Sequence, residues 1–314
     1  MLALTDLSVS FRGCPVLRNL SFDLASGETL GLVGESGSGK SMTALALMGL
    51  LPPGFEAKGS IRLRGTELLG LPDKALCRLR GRAMAMIFQE PMTALNPVLT
   101  VGAQIAEGLV LHGLMEPRAA MAEAIRLMER VGLPDPARRA RSYPHELSGG
   151  QRQRAMIAMA ISCRPAVLIA DEPTSALDVS LQVEILALLR EIRAETGMAM
   201  IFISHDLTLI SAMADRALVL YGGLAMESGP VRPVIDRPAH PYTQGLIAAI
   251  PRGTAHTHRL SPIRGQVPDL ASLPPGCPFA GRCTLGDAHC AGTPPPLRSG
   301  LTQIHCHHAE PVPA

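Results

Sequence analysis

The chain has 314 residues and a formal net charge of +2, with 29 Lys and Arg set against 27 Asp and Glu. That balance leaves no basic surplus for a nucleic acid, which is set aside as a partner, and no long like-charge run for a tail. Apolar residues make up 47%, enough for a large core, yet aromatics are only 3% and Trp is absent, so Leu, Ile, Val, Ala and Met must fill it. The N-terminus lacks the basic-then-apolar pattern of a signal peptide. No run reaches the roughly 18 uncharged apolar residues of a membrane-spanning helix; the longest, residues 155–170, is broken by Arg164 and Pro165. The expectation is a soluble or peripheral chain.

Taken in order, residues 2–11 and 17–24 read as short strands, and the apolar run 29–33 enters a Gly-rich loop followed by a helix over 40–50. Strands are expected at 60–63 and 83–88, then helices at 99–112 and 117–131, the second opening on a proline. A helix over 149–163 stops near Pro165, and a strand follows at 167–170. Residues 179–195 form an amphipathic helix closed by Gly197, and strands at 199–203, 217–221 and 224–227 complete the pattern. Strands alternating with helices imply a mostly parallel sheet covered on both faces. Beyond Gly229 the composition shifts, from Pro251 onward Pro, Gly, His and Cys dominate and the periodicity fades, and a boundary is placed near Ile235.

Three motifs carry chemistry. Gly34-Glu35-Ser36-Gly37-Ser38-Gly39-Lys40-Ser41 fits G-x-x-x-x-G-K-[ST] between an apolar strand and a helix. Glycines let backbone N–H groups surround phosphate oxygens, and the helix N-terminus adds a favourable dipole. Lys40 would reach the β- and γ-phosphates of ATP and the Ser41 hydroxyl would hold Mg²⁺, with Met42 closing the set. Residues 167–170 then deliver Asp171 and Glu172 at the end of a strand. Asp171 can hold Mg²⁺ through water, and Glu172 can orient and deprotonate an attacking water. The third motif, Leu147-Ser148-Gly149-Gly150-Gln151, opens a helix with a hydroxyl and free amides, a second anion site.

That pentapeptide, set between the phosphate loop and the Asp-Glu strand, resembles the signature of ABC ATPases. The resemblance covers about residues 2–227 and implies an α/β phosphate-loop cassette: a mostly parallel core sheet, an antiparallel β subdomain, and a helical subdomain over about 92–160. It implies that Ser148, Gly149, Gly150 and Gln151 cap the ATP held by a partner's phosphate loop, so that ATP glues a dimer with two composite sites. In the same family order, Gln89 matches the glutamine that senses Mg²⁺ and the membrane partner. Ser175, Ala176, Leu177 and Asp178 match the loop that crosses the dimer. His205 matches the switch histidine at the γ-phosphate, and Phe11 sits where an aromatic stacks on adenine.

Two stretches narrow the branch. Residues 89–97 (QEPMTALNP) and 240–246 (HPYTQGL) resemble the dipeptide, oligopeptide and nickel importers, as does Tyr143-Pro144-His145-Glu146 before the signature. Gln151 departs from the Met that this group often carries. The resemblance implies two membrane permeases, a second ATPase subunit (identical or paralogous) and, indirectly, a substrate-binding protein. The chain would then lie peripherally on the cytoplasmic face of the bacterial inner membrane.

The expected C-terminal extension, residues 236–314, is irregular and Cys-rich, with the spacing Cys277-x₅-Cys283-x₆-Cys290-x₁₅-Cys306. Four thiolates suit a tetrahedral Zn²⁺ or an iron–sulfur cluster, and the spacing by itself selects neither. The resemblance to peptide-importer ATPases implies a [4Fe–4S] cluster, acting as a staple for a core-poor segment. Other readings are a soluble ABC-type ATPase of translation or DNA repair, an exporter subunit, and a nickel importer. The first usually joins two cassettes or inserts a long coiled coil, and this chain has one phosphate loop, one signature and no long heptad run.

Overall fold

A computed structural model describes residues 1–90, 94–175, 177–250, 263–269 and 272–313. The strands are β1 (Leu2–Phe11), β2 (Cys14–Leu24), β3 (Thr29–Val33), β4 (Phe55–Leu63), β5 (Thr66–Glu67), β6 (Met84–Ile87), β7 (Val167–Asp171), β8 (Ala199–Ser204), β9 (Arg216–Tyr221), β10 (Leu224–Pro230), β11 (Leu297–Ser299) and β12 (Gln303–His305). The helices are α1 (Lys40–Met48), α2 (Asp73–Leu79), α3 (Val101–Leu111), α4 (Pro117–Arg130), α5 (Pro136–Arg139), α6 (Gly149–Ile161), α7 (Val179–Thr196), α8 (Leu207–Met213), α9 (Val231–Asp236), α10 (Pro241–Ala248) and α11 (Ala288–Gly292). The chain forms two compact units: Met1, Leu24–Glu28 and Gly70–Ile201 make the first, and Leu2–Asp23, Thr29–Leu69 and Phe202–Ala314 the second.

In the first unit β6 and β7 pair in parallel, Met84 opposite Val167 through Ile87 opposite Ala170. Every residue of both strands is buried, as expected of parallel strands covered on two faces. Helices α3, α4 and α6 pack on one another. Gly102 lets α3 approach closely, since a Cβ there would meet Ala140 at 2.8 Å. Pro117 starts α4 at a position where its missing N–H costs nothing. Asp178 caps α7 by accepting from Leu181 N at 2.9 Å, and the left-handed Gly197 ends it.

In the second unit β3 and β9 are parallel, β9 and β10 antiparallel, and β12 extends the sheet by pairing with β10 and β11. A separate sheet of order β2-β1-β4-β5 is antiparallel at the β1–β4 pair. Its core is aliphatic: Leu2, Leu4, Leu7, Val9 and Ile61 are buried. Each such burial stabilises by about 1.5–3 kcal/mol, which compensates for the scarcity of aromatics.

Periodicity missed several elements. Helix α2 is short, with one buried residue, Leu76, too little for an apolar stripe. Past Gly229 the chain is more regular than its composition suggests. Helix α9 spans the Ile235 position chosen as a boundary. Helix α10 starts at Pro241 under a cap from His240 Nδ1, which accepts from Tyr242 N at 3.0 Å. Strand β12 buries Ile304 completely. These pieces are too short to show a period, and neighbours from elsewhere in the chain hold them.

Candidate nucleotide site

In the second unit the phosphate loop grows from β3, whose five residues are all buried. At Gly34 a Cβ would lie 2.1 Å from the Leu220 carbonyl oxygen, so no larger residue fits. Gly39, at φ +104°, turns the chain into α1. Lys40 is 6% exposed, and its Nζ donates to the carbonyls of Gly34 at 2.8 Å and Glu35 at 3.0 Å, so the loop curls round its own ammonium. Ser38 is buried, and its Oγ finds no hydrogen-bond partner among the described residues. A buried hydroxyl left over beside a lysine, in a loop opening a helix, fits a phosphate ligand. Ser41 and Met42 follow at the half-buried start of α1. His205 lies exposed between β8 and α8, just before the Asp206 cap that accepts from Thr208 N at 2.7 Å. Phe11 is half-exposed, with its ring 4.7 Å from that of Phe55 and the Arg12 guanidinium 5.2 Å from its centre.

The first unit carries the carboxylates. Strand β7 ends at Asp171, 3% exposed. Glu172 follows in the left-handed region at φ 45°, a strained conformation for a non-glycine residue that turns its side chain off the strand line. Gln89 Nε2 donates to Glu172 Oε2 at 3.2 Å. The turn is closed by Ser175, whose N–H and hydroxyl both donate to the Glu172 carbonyl at 3.2 Å. Leu177 N donates to Thr174 O at 3.2 Å; Ala176 lies outside the described residues, as do Pro91, Met92 and Thr93 of the stretch after Gln89.

Ser148 is the N-cap of α6. Its Oγ accepts from Gln151 N at 3.4 Å, and Gln151 Oε1 accepts from Ser148 N at 3.2 Å. This reciprocal box requires Gln, or Glu, at the third helical position, so the residue that departs from the importer branch has a local structural task. Ser148 and Gly149 remain exposed. Gly150 packs so closely on Leu181 that a Cβ would lie 2.2 Å from Leu181 Cδ2. One turn on, buried Gln153 donates to the Pro173 carbonyl at 2.6 Å, tying the signature helix to the turn after Glu172. Sequence reasoning did not single out Gln153; its one signal is an amide on the apolar side of a helix.

Cys277, Cys290 and Cys306 are buried and Cys283 half-buried. Burial pushes the Cys277 thiol up to about 12, and the neighbouring Cys283, Cys290 and Cys306 add to the rise. Cys277 N donates to Cys290 O at 2.8 Å. Backbone N–H groups point at two sulfurs: Leu285 at Cys283 Sγ, 3.4 Å, and Ala309 at Cys306 Sγ, 3.3 Å. A different trio, Asp287, Cys290 and His308, brings its ligand atoms within 4.8 Å of one another. Asp287 is held down at about 2, first by the Cys290 N–H and then by His308 among others.

A lysine-centred glycine loop after one buried strand, and paired carboxylates after another, define a phosphate-loop ATPase cassette. Residues 17–175 match the ABC transporter family, and residues 226–290 match the oligopeptide/dipeptide transporter C-terminal region. The chain is 50% identical over 304 residues to a putative peptide import ATP-binding protein of Brucella melitensis biotype 1, covering 95% of this chain and 91% of that one. It is 47% identical over 299 residues to the oligopeptide transport ATP-binding protein OppD of Escherichia coli K12, covering 94% and 89%. It is 46% identical over 315 residues to the dipeptide transport ATP-binding protein DppD of Bacillus subtilis 168, covering 98% and 94%. The dimeric ATP-binding cassette MJ0796, solved in a post-hydrolysis state with ADP and Pi, superposes with a TM-score of 0.66 at 27% identity, covering 74% of this chain and 99% of that one. The chain therefore belongs to the ABC transporter family, among the ATP-binding subunits of its oligopeptide/dipeptide branch. It is an ATPase whose hydrolysis drives a membrane importer.

Proposed function

We propose that the imported solute is a peptide, and that the chain works as a dimer with ATP and Mg²⁺ in two sites, each completed by the partner's signature. The buried, unpartnered Ser38 hydroxyl beside Lys40 carries the nucleotide part of this reading. Lys40 and the loop amides take the phosphates; Ser41, Gln89 and Asp171 hold Mg²⁺; Glu172 takes the proton of the attacking water; His205 holds the γ-phosphate. Phe11 faces adenine. The exposed Ser148 and Gly149, at an already capped helix N-terminus, are free to meet another subunit's phosphate. Residues 1–235 serve as the cassette and 236–314 as the importer-type extension.

No helix among the described residues is long and apolar enough to cross a membrane, so permeases supply the pore. A cleft of about 710 Å³ in the first unit, lined by Gln104, Leu111, His112 and Cys163 beside Lys74 and Arg78, suits an intracellular permease helix. Leu111, at 76% exposure, leaves apolar surface there for it to cover. The chain then sits peripherally on the cytoplasmic face of the inner membrane.

Cys277, Cys283, Cys290 and Cys306 hold a metal centre. Three buried thiols and backbone N–H groups aimed at two sulfurs suit thiolate ligands. A single Zn²⁺ would draw four sulfurs to about 3.8 Å apart, from Zn–S bonds of about 2.3 Å. A [4Fe–4S] cluster would hold the four sulfurs farther apart than a single Zn²⁺ does, and metal analysis distinguishes the two. When bound, the group supplies cross-links that hold the segment folded.

The test is reconstitution with the permeases and substrate receptor in lipid vesicles. Peptide-loaded receptor should stimulate ATP hydrolysis and peptide uptake. Stimulation by Ni²⁺-loaded receptor instead would reassign the solute. No association with any permease would favour a soluble ATPase.

A further inference from the structure

We infer that Arg282, from the cysteine-bearing turn, is a positioning residue of the phosphate loop: it clamps and neutralises Glu35 so that the loop can accept a polyanion. This inference rests on the ATP-site reading above.

Glu35 is the second residue of the loop, and each of its polar groups is engaged. Its carboxylate accepts from both ends of the guanidinium, Arg282 Nη1 to Oε2 at 2.5 Å and Nη2 to Oε1 at 3.1 Å. Its N–H donates to Tyr242 Oη at 2.9 Å. Its carbonyl accepts from Lys40 Nζ at 3.0 Å. The loop lysine thus shares a residue with two side chains of the C-terminal region.

Arg282 is itself fixed. Its side chain is 8% exposed, against 25% for Glu35. Nε donates to Arg264 O at 3.0 Å and Nη1 to Tyr221 Oη at 3.2 Å. The guanidinium also lies 5.6 Å from the Tyr221 ring centre and 5.9 Å from that of Phe279. Tyr221, Tyr242 and Phe279 pack on one another with ring centres 4.7–5.2 Å apart. A planar, bidentate fork on a half-buried carboxylate is a geometry that Lys cannot reproduce.

The same turn belongs to the cysteines. Arg282 immediately precedes Cys283, whose N–H donates to Phe279 O at 3.0 Å, and Phe279 follows Cys277 by two residues. Whatever fixes those cysteines fixes the fork. The electrostatic need is plain: an uncompensated carboxylate inside a loop that must take a triphosphate repels its ligand.

The test measures the dissociation constant of a fluorescent ATP analogue on the full-length protein, with metal content and thermal melting recorded for each variant. Arg282→Ala should weaken binding about tenfold, raise KM more than it lowers kcat, and leave metal content unchanged. Glu35→Gln should tighten binding about threefold, since Arg282 is then a free cation. The double variant should recover most of the Arg282→Ala loss, and Arg282→Lys should fall in between. Arg282→Ala binding within twofold of wild type would overturn the inference. So would a double variant as weak as Arg282→Ala, which marks a purely structural role. If the wild type bound no ATP analogue, the ATP-site reading would fail, and this inference with it.

Discussion

Gln89 Nε2 and Glu172 Oε2 are joined by a 3.2 Å hydrogen bond between residues 83 positions apart. One end of the proposed base is therefore oriented by the residue proposed to sense Mg²⁺ and the permease. Metal arrival and water activation can thus act on one carboxylate.

Replacing that carboxylate separates binding from turnover. Glu172→Gln keeps the side chain's size and still accepts from Gln89, but it cannot take a proton. ATP affinity should stay near wild type, hydrolysis should fall at least about a hundredfold, and ATP should trap a stable dimer. Equilibrium nucleotide binding, phosphate release and gel filtration with ATP check the three parts. Wild-type hydrolysis in this variant would sink the assignment.

Ser148 has two tasks that one substitution can separate. As N-cap of α6 it contributes about 1 kcal/mol, and Asp serves equally well as a cap. Ser148→Asp should therefore keep the melting temperature. It should also place a negative charge where the partner's γ-phosphate is proposed to sit, and so abolish ATP-driven dimerisation and hydrolysis. Nucleotide affinity of the monomer should change little. Its collapse would mean that Ser148 acts on its own chain's ATP.

Gln153 is 2% exposed and satisfies the Pro173 carbonyl. Gln153→Ala leaves that carbonyl without this donor at a cost of about 1–3 kcal/mol. The variant should melt at lower temperature and hydrolyse ATP more slowly, because the turn beyond Glu172 loses its tether to the signature helix. An unchanged melting curve would show that the bond contributes nothing.

The proposed cysteine centre predicts a colour. Protein purified without oxygen should be brown and contain iron and acid-labile sulfide. Changing any one of Cys277, Cys283, Cys290 or Cys306 to Ser should lower both and expose the C-terminal region to protease. Cys283→Ser should also weaken ATP-analogue binding through Arg282. Stoichiometric zinc without iron would replace the cluster with a zinc site.

His240 supplies a pH dependence. Burial lowers it to about 4 from an ordinary 6.5. Between those values the unfolded chain binds the proton and the folded chain does not, so stability falls as pH drops from 6.5 towards 4. The full loss is about 3 kcal/mol. His305 lies near it, and Glu227, which accepts from His240 N at 3.0 Å, is raised by burial and shifts the balance in the opposite sense. The comparison is therefore with His240→Asn, which can cap α10 without titrating. The variant's unfolding free energy minus the wild type's should fall by up to about 3 kcal/mol as pH rises from 4 to 7, and a pH-independent difference would count against this origin.

The nucleotide motifs were legible in the amino-acid order because each is local. Gly34 to Ser41 lie between β3 and the start of α1, Asp171 ends one strand with Glu172 next to it, and Ser148 and Gln151 cap each other within one turn. Short-range geometry leaves such segments few alternatives. The C-terminal region is the opposite case. Composition marked residues 251–314 as poor in core, yet Phe279, Ile304 and Val312 are buried there. Its order comes from β12 pairing with β10 and from Arg282 reaching Glu35 across 247 positions. Spacing along the chain has no information about which distant carboxylate a guanidinium will meet. That partner is chosen when Tyr221, Tyr242 and Phe279 pack together and hold the fork against Glu35.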